Sequence, residues 1–340
     1  MKPKFSVFSA ILTALFFAPI ALAGKTQTIT SYIGMCDASG AVPVGLFLFA
    51  VANDEDNTLR VYKRDESGKA IYSQNIADYL KINETKKHKE SDIEGATLVG
   101  TRIYWISSHG TNEDGEERPN RLRFFATDIE TQGSSISLKP VGTAYLGLVQ
   151  AFADSAELKS LALGNAATKP TKSQEGLNIE GLTRTPEGHL LIGLRSPFHN
   201  NNAVLIPLEN PQEVIVEDKK PKLGKPIELD LEGLGIRSIE YSDANNAYFI
   251  IAGPFDKEDD FRLYQWSGKP ADKPKKIDGV DFKGLHPEAL VIYPAEKERI
   301  QILSDDGSEI VKAKGKECKD LKETSDHKSF RGIWVNLKRD

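Results

Sequence analysis

The sequence predicts an all-β fold, a single β-propeller, on two observations. A short phrase built around an acidic residue recurs along the chain, and each copy precedes a turn and an apolar, β-branched run that ends in polar residues. Self-similarity at roughly 50 residues, carried by strands without helical periodicity, is typical of a propeller. We predict five blades, with six as the alternative.

The recurring phrase appears in four clear copies and one degenerate copy, in which Ser39 takes the place of the glutamate. The clear copies are Asp92-Ile93-Glu94-Gly95-Ala96, Asn178-Ile179-Glu180-Gly181-Leu182, Arg237-Ser238-Ile239-Glu240-Tyr241 and His286-Pro287-Glu288-Ala289-Leu290. The degenerate copy is Asp37-Ala38-Ser39-Gly40-Ala41. Each copy is expected to begin the innermost strand of one blade.

Apolar runs after each phrase predict the second strand of each blade. They comprise residues 46–51, 103–106, 190–194, 247–251 and 300–303. Outer strands are predicted at several further runs, among them residues 203–208 and 213–217 in the third blade. Residues 26–33 and 332–337 are expected to close the ring by pairing the two ends of the chain.

One segment breaks the strand pattern. Residues 146–163 place apolar side chains at helix-like spacing, with no Gly or Pro between residues 148 and 163. This pattern predicts an amphipathic helix inserted between two blades. A hidden sixth blade is the alternative explanation of the long gap between Glu94 and Glu180.

The N-terminus predicts export. Lys2 and Lys4 precede an apolar run, and Ala21-Leu22-Ala23 has the small residues of a cleavage site. We therefore predict that residues 1–23 are a cleaved signal peptide, that residues 24–340 form one propeller domain and that the protein is periplasmic or secreted. No membrane anchor is expected after cleavage; an uncleaved anchor is the alternative.

Two cysteines, Cys36 and Cys318, lie near opposite ends of the predicted domain. An oxidising compartment permits a disulfide, and in a closed propeller both ends of the chain meet in one blade. We predict a bridge across this seam, with two buried thiols as the alternative. Their spacing fits no metal-binding knuckle.

The charge of the chain narrows the range of partners. The 340 residues carry a formal net charge of −5, and no basic stripe is present. This argues against nucleic-acid binding. We expect a monomer whose ligand is a small anionic molecule.

The predicted topology places the polar residues at one mouth of the central channel. The start of the innermost strand and the end of the antiparallel second strand lie on the same face of a propeller. The glutamates Glu94, Glu180, Glu240 and Glu288 occupy the first position. Around them we expect Asn53, Asp54, His109, Asn112, Arg195, His199, Asp256, Asp305 and Asp306, with Arg237 beside the fourth blade's glutamate.

Four carboxylates that converge in one channel repel one another, so a cation, an arginine or protonation must offset their charge. Oxygen ligands from several strands suit Ca²⁺, or Mg²⁺ with water in its shell. We predict a divalent cation, with Ca²⁺ favoured over Mg²⁺, held by the four glutamates. The alternative is that each glutamate accepts backbone N–H groups and locks neighbouring blades together.

The remaining polar residues supply candidate catalytic and substrate-binding groups. Arg195 and Arg237 are candidates for clamping an anionic substrate, although they also suit pairing with the glutamates. His109 is the candidate for proton transfer, with a loop histidine bonded to backbone as the alternative. Asn112, His199 and Asp305 are the candidate substrate contacts.

The chain resembles an uncharacterised family of exported bacterial proteins known only as a domain of unknown function. The resemblance lies in Asp92 to Ala96, Tyr104 to Gly110, Asn178 to Leu182, Leu191 to Arg195, Gly235 to Tyr241 and Leu303 to Gly307. No activity is implied by that family. The Ile-Glu-Gly-Leu phrase is more distantly similar to the esterase-like phytase family and to gluconolactonase propellers. In the latter, a glutamate at the channel mouth helps to hold a divalent metal, a role that the similarity implies for Glu94 or Glu180.

These observations leave two functions open. The first is a divalent-cation-dependent hydrolase of a small anionic ester, phosphoester or lactone. The second is a non-catalytic propeller that binds a ligand or a protein of the cell envelope. Propellers host both, so the fold does not decide between them.

Overall fold

The computed structural model describes residues 28–83, 88–133, 135–256 and 259–337, and within them the chain forms a five-bladed β-propeller. Four blades are four-stranded antiparallel sheets, and the fifth sheet has five strands. The innermost strands contact one another in cyclic order, from the first blade to the fifth and back to the first. The predicted fold class is therefore confirmed with five blades, and the six-bladed alternative is excluded. The predicted signal peptide, residues 1–23, lies outside the described residues.

In each blade the strands follow chain order from the channel outwards, except that blade 5 adds two outer strands from earlier in the chain, Ile29–Ile33 and Gly68–Lys69. The strands of blade 1 are Ala38–Val44, Leu48–Asn53, Thr58–Lys63 and Tyr72–Asn75. Those of blade 2 are Ile93–Val99, Arg102–Ser107, Phe124–Gln132 and Ser135–Tyr145. Those of blade 3 are Asn178–Arg184, Leu190–Ser196, Ala203–Leu208 and Ile227–Leu229. Those of blade 4 are Gly235–Ser242, Ala247–Gly253, Arg262–Trp266 and Lys275–Lys276. Those of blade 5 are Pro287–Val291, Arg299–Ser304, Ser329–Asn336, Ile29–Ile33 and Gly68–Lys69.

The two ends of the described chain close the ring, as the sequence predicts. Ile29–Ile33 pairs antiparallel with Ser329–Asn336, with Ile29 opposite Ile333. A disulfide joins Cys36 to Cys318 beside this seam, with their Cα atoms 5.9 Å apart. The predicted bridge is thus confirmed, and it links residues 282 positions apart in sequence.

The insertion between blades 2 and 3 is helical but broken. It contains the helices Leu148–Asp154 and Leu163–Ala166, with the 3₁₀ turn Lys159–Leu161 between them. Leu148, Phe152 and Leu158 are each no more than 1% exposed and pack against blades 2 and 3. The apolar spacing therefore identifies the buried face, although it is presented by short segments rather than one helix.

Other helical segments lie at the periphery. They are Ala77–Leu80, Pro119–Arg121 (3₁₀) and Pro211–Glu217. The last corrects the prediction of a strand at residues 213–217, because Pro211 occupies the first helical turn and fits the fixed φ required there. Among the described residues, no helix has both the length and the apolar character needed to cross a membrane.

The hydrophobic core lies between blades. Each of the five buried clusters contains side chains from two adjacent blades, as when Trp105 and Phe125 of blade 2 pack with Val61 of blade 1. The strands are therefore covered on both faces, which explains why they read as continuous apolar runs. This packing fixes the blades around the channel.

The innermost strands carry a β-bulge where the recurring phrase begins. The pairing register skips Glu94, Glu180, Arg237 and Glu288, and in blade 1 it skips Ser39 and Gly40. A bulge leaves one residue unpaired and redirects its side chain. These five equivalent positions, Ser39, Glu94, Glu180, Arg237 and Glu288, are called the bulge ring below.

The bulge ring corrects the predicted alignment of blade 4. Glu240 is not a bulge residue, because it pairs regularly with Phe249 three positions further along the strand. The equivalent position is occupied by Arg237. Glu240 instead lies deeper in the channel, where Thr97 Oγ1 donates to Glu240 Oε1 at 3.4 Å. The structure therefore brings three of the four predicted glutamates together, with an arginine in place of the fourth.

Candidate functional site

A cavity of about 600 Å³ opens at one mouth of the channel. Its walls come from the starts of innermost strands, the ends of second strands and neighbouring loops, as the topology predicts. Three of the bulge-ring glutamates, Glu94, Glu180 and Glu288, line it together with Arg237. We consider this cavity the candidate functional site.

Arginines neutralise part of the bulge ring. Arg237 Nε lies 2.9 Å from Glu180 Oε2, without hydrogen-bond alignment, and Arg237 Nη2 forms an ion pair with Glu288. Arg195 Nη1 donates to Glu180 Oε1 at 2.8 Å. Arg237 is 6% exposed, and burial together with the neighbouring Arg195 lowers its pKa to about 10. Glu180 and Glu288 thus have protein cations as partners.

Further contacts occupy Arg195, one of the two residues of the predicted anion clamp. Besides Glu180, Arg195 donates from Nε to the carbonyl oxygen of Pro254 at 3.0 Å and from Nη2 to that of Asp256 at 2.8 Å. Every nitrogen of its guanidinium is therefore engaged by the protein. These bonds hold blade 3 against blade 4 and use three of the five N–H donors of the guanidinium.

Glu94 is the bulge-ring glutamate outside this arginine network. Its carboxylate lies instead beside those of two aspartates. Asp54 is at the end of the second strand of blade 1, and Asp92 is two residues before Glu94. Oxygens of all three lie within 4.8 Å of one another. We call Asp54, Asp92 and Glu94 the carboxylate trio.

Burial and mutual repulsion act against the ionised form of the trio. Burial raises the pKa of Glu94 well above its usual value, and Asp92 and Glu180 raise it further. Burial likewise raises the pKa of Asp54, followed by the charges of Asp37 and Asp305. The pKa of Asp92 is raised by burial despite Arg121, whose Nη1 lies 3.3 Å from Asp92 Oδ2. A bound cation would favour the ionised form of all three.

The whole cavity carries excess negative charge. Among the described residues, twelve carboxylate side chains line it, against five lysines and arginines. Low-dielectric walls lined by one sign of charge concentrate counter-ions. The cavity is therefore better suited to a cation than to an anion.

In four blades, a polar residue lies two positions before the bulge-ring residue in sequence. Asp37, Asp92, Asn178 and His286 hold this position in blades 1, 2, 3 and 5, and all four line the cavity. Three of them directly precede their strand and Asn178 is the first residue of its strand, so all four belong to the recurring phrase. These four residues were not predicted as site candidates, because the prediction was based only on the glutamate of each phrase.

Two predicted histidines lie elsewhere. His109 is 1% exposed, does not line the cavity and has its Nδ1 2.7 Å from the carbonyl oxygen of Ser107. Burial lowers its pKa to about 4, so it is a neutral structural histidine, which corrects its predicted catalytic placement. His199 pairs with Glu228 at 2.8 Å and also lies outside the cavity lining.

Asn112 and Asp305 do line the cavity. The side chain of Asn112 is used within its own loop, because Oδ1 accepts from Glu116 N at 2.7 Å and Nδ2 donates to Glu116 Oε2 at 3.0 Å. Asp305 accepts from Gly307 N through Oδ1 at 2.8 Å. Burial raises the pKa of Asp305. Of the two, Asp305 offers the carboxylate, a ligand type that suits a hard cation.

The disulfide adjoins the cavity mouth. Ser308, Glu317 and Lys319 line the cavity from a short hairpin with strands Ile310–Val311 and Lys316–Glu317. Cys318 lies between two of these residues, and its partner Cys36 directly precedes Asp37. The bridge therefore holds the hairpin beside the acidic wall.

Comparison with family models gives one match over part of the chain and no activity. Residues 142–300 match the family described as "Protein of unknown function (DUF3616)". This match bears out the resemblance to an uncharacterised family. A comparison with curated proteins found no match.

Solved structures with a similar strand arrangement are distant. A glutaminyl cyclase from Myxococcus xanthus is 13% identical, with a TM-score of 0.44 over 92% of this chain and 96% of that chain. An aldose sugar dehydrogenase from Streptomyces coelicolor, solved with PQQ, is 9% identical, with a TM-score of 0.40 over 91% and 99%. A putative glucose dehydrogenase from Thermus thermophilus is 10% identical, with a TM-score of 0.46 over 91% and 100%. These likenesses carry no activity to this chain.

Proposed function

We propose that the cavity binds a divalent cation through the carboxylate trio, Ca²⁺ in preference to Mg²⁺, and that the propeller hydrolyses a small anionic ester, phosphoester or lactone there. One observation carries the proposal: oxygens of Asp54, Asp92 and Glu94 lie within 4.8 Å of one another. The cation site is thus proposed at Glu94 with two aspartates, rather than at the four repeated glutamates.

The donor set fits a hard cation. Ca²⁺ takes six to eight oxygen ligands at about 2.3–2.6 Å, from carboxylates, amides and water. Asp54 Oδ1 is buried and has no hydrogen-bond partner in the described protein. Asn178, which lines the same cavity and is 5% exposed, also has an unpartnered Oδ1, while its Nδ2 donates to Glu180 at 2.8 Å. A cation would satisfy oxygens that the protein leaves unmatched.

The chemistry follows from the residues around the trio. A divalent cation polarises a carbonyl or phosphoryl oxygen. Lys172 and Lys319 line the cavity and would attract an anionic substrate towards it. His286 also lines the cavity and replaces His109 as the proposed proton-transfer group. The disulfide fits the proposed periplasmic or secreted location, because such bonds persist in oxidising compartments.

A second candidate function is non-catalytic binding. The observation that favours it is the engagement of Arg195 and Arg237 by Glu180, together with the burial of His109 away from the cavity. Two of the predicted catalytic groups therefore pair with a glutamate, and the third lies outside the cavity lining. In that case the cation would organise the mouth for a ligand or an envelope partner, without turnover.

Cation binding is tested by thermal unfolding and calorimetric titration of metal-stripped protein with Ca²⁺ and Mg²⁺. A ligand at 100 times its Kd stabilises the folded state by about 2.7 kcal/mol, so Ca²⁺ should raise the Tm. Glu94→Gln should reduce the Ca²⁺ affinity at least tenfold. Asp259→Asn is the matched control, because Asp259 lines the same cavity but is exposed and outside the trio.

Activity is tested with a panel of phosphoesters, carboxylic esters and lactones. Hydrolysis that requires Ca²⁺ and is lost in Glu94→Gln supports the hydrolase. Ca²⁺ binding without turnover on any of the panel favours the binding function. A Tm indifferent to Ca²⁺, Mg²⁺ and chelator would contradict the cation site itself.

A further inference from the structure

A second acidic pair adjoins the carboxylate trio. Asp37, at the start of the innermost strand of blade 1, forms an isolated antiparallel bridge with Asp305, at the end of the second strand of blade 5. A Cβ placed on Gly307 would lie 1.6 Å from Asp37 Oδ1 and 3.1 Å from Asp305 Oδ1. Both carboxylates therefore crowd one point of the backbone, and only a glycine fits there.

The pair has unused oxygen. Asp37 is 3% exposed and lines the cavity, yet its Oδ2 has no hydrogen-bond partner in the described protein. A buried carboxylate oxygen without a partner carries a desolvation cost that a bound cation would offset. Two lysines, Lys319 and Lys328, act on Asp37 electrostatically, but Asp305 and Glu55 oppose them. Arg237 and His286 act in the same way on Asp305, yet burial still raises the pKa of both carboxyls.

Asp54 connects the pair to the trio. It follows Asn53, which pairs with Ala38, so it lies opposite Asp37 across the two strands. An oxygen of Asp54 also lies within 4.8 Å of oxygens of Asp92 and Glu94. A carboxylate between two groups of acidic ligands is placed as a bridging ligand. Two-cation sites in proteins have separations of about 3.5–4 Å, and a shared carboxylate fits that range.

We propose that Asp37 and Asp305 hold a second divalent cation, which Asp54 links to the cation of the trio. This inference rests on the proposed function and deepens it. It adds a metal site outside the repeated glutamates and names a ligand class. Two adjacent cations suit an anion that offers an oxygen to each, so phosphate or a phosphoester fits better than a lactone with its single carbonyl oxygen.

The corresponding reaction is the hydrolysis of a phosphomonoester. The oxygen of water forms the new bond to phosphorus while the bond from phosphorus to the ester oxygen breaks. One proton of the water ends on the leaving alcohol, and the other stays on the phosphate. No oxidant or further reactant is needed.

The decisive measurement is the number of Ca²⁺ ions bound by the full, metal-stripped chain, from calorimetry and from elemental analysis after dialysis. We expect two per chain. One would overturn the second site and leave the proposed function standing, whereas none would overturn both. Because this readout uses the unmodified protein, it does not depend on a variant that folds.

Variants assign the two ions. Asp37→Asn should bind one Ca²⁺ and weaken inorganic phosphate binding, measured in the presence of Ca²⁺, at least tenfold. Asp259→Asn removes an exposed carboxylate of the same cavity, and this variant should still bind two Ca²⁺ ions. Two ions in a folded Asp37→Asn variant would contradict the assignment, as would phosphate binding that is equally tight without Ca²⁺.

Discussion

Arg237 shows how one residue changes the meaning of a repeat. It occupies the bulge position that glutamate holds in blades 2, 3 and 5, and it pairs with two of those glutamates. Buried ion pairs of this kind contribute little net stability, but loss of one partner leaves a buried charge, which costs about 3–5 kcal/mol. The arginine thereby divides the ring into a neutralised half and the acidic half around Glu94.

Glu240, by contrast, is buried in the channel away from that arginine. Burial raises its pKa to about 8, against the opposing charge of Arg184 and hydrogen bonds from Tyr241 N and Thr97, while Asp243 adds to the increase. Between pH 4.5, its ordinary pKa, and pH 8, the folded state holds a proton here that the unfolded state has lost. Stability from this group therefore falls as pH rises through that window.

We predict that Glu240→Gln lessens this fall, because the amide stays neutral at every pH. Urea unfolding at pH 5 and pH 8 should show the variant gaining stability relative to the wild type at the higher pH. The exposed Glu130→Gln serves as the control and should show no such gain. A difference between variant and wild type that is the same at both pH values would refute the buried, protonated state.

At the scale of the strand, the glycine after the bulge has a packing reason. A Cβ on Gly181 would lie 2.8 Å from Ile236 Cγ2 and 3.0 Å from Ile239 Cγ2 of blade 4. Gly95 is similarly close to Leu182 of blade 3. The innermost strands of blades 2 and 3 therefore approach the next blade closely enough to exclude a side chain.

We predict that Gly181→Ala destabilises the protein by about 1–3 kcal/mol, the usual cost of overpacking a core. The converse change at the equivalent position of blade 5 is Ala289→Gly. It overpacks nothing, so it should cost less than about 1 kcal/mol, from the lost methyl group and the added entropy of the unfolded chain. Denaturant midpoints of the two variants test the comparison. Equal losses would show that inter-blade spacing does not decide the residue.

At the scale of the molecule, closure depends on the ends of the chain. The strand Ile29–Ile33 supplies an outer strand of blade 5, and the Cys36–Cys318 bridge holds the first innermost strand to the hairpin of the last blade. Both features join parts of the chain that are far apart in sequence. The ring is therefore closed twice at one seam, beside the acidic wall of the cavity.

We predict that Cys36→Ser combined with Cys318→Ser lowers stability by about 2–5 kcal/mol, because the bridge restricts the unfolded chain over a separation of 282 residues. The strand pairing should still close the ring, so the variant should fold. Unfolding of the variant and of the wild type in urea measures the difference. An unchanged midpoint would mean that strand pairing alone secures the seam.

Local sequence patterns specify the repeated unit. Strand periodicity, turns and the phrase around the glutamates depend on local spacing, so five blades, the closing strands and the acidic channel mouth could be predicted. The insertion at residues 146–163 was predicted for the same reason, since Leu148 and Phe152 show helical spacing. The cysteine bridge followed from the geometry of a closed ring.

Which residues lie together in the cavity depends on the tertiary structure. The bulge in blade 4 shifts the equivalent position from Glu240 to Arg237, and local spacing cannot reveal that shift because bulges depend on pairing with the next strand. Likewise, Asp54 and Glu94 are on different blades, and their proximity arises from the packing of one blade on another. The candidate cation site is a product of blade assembly, whereas the glutamate phrase is a property of each blade alone.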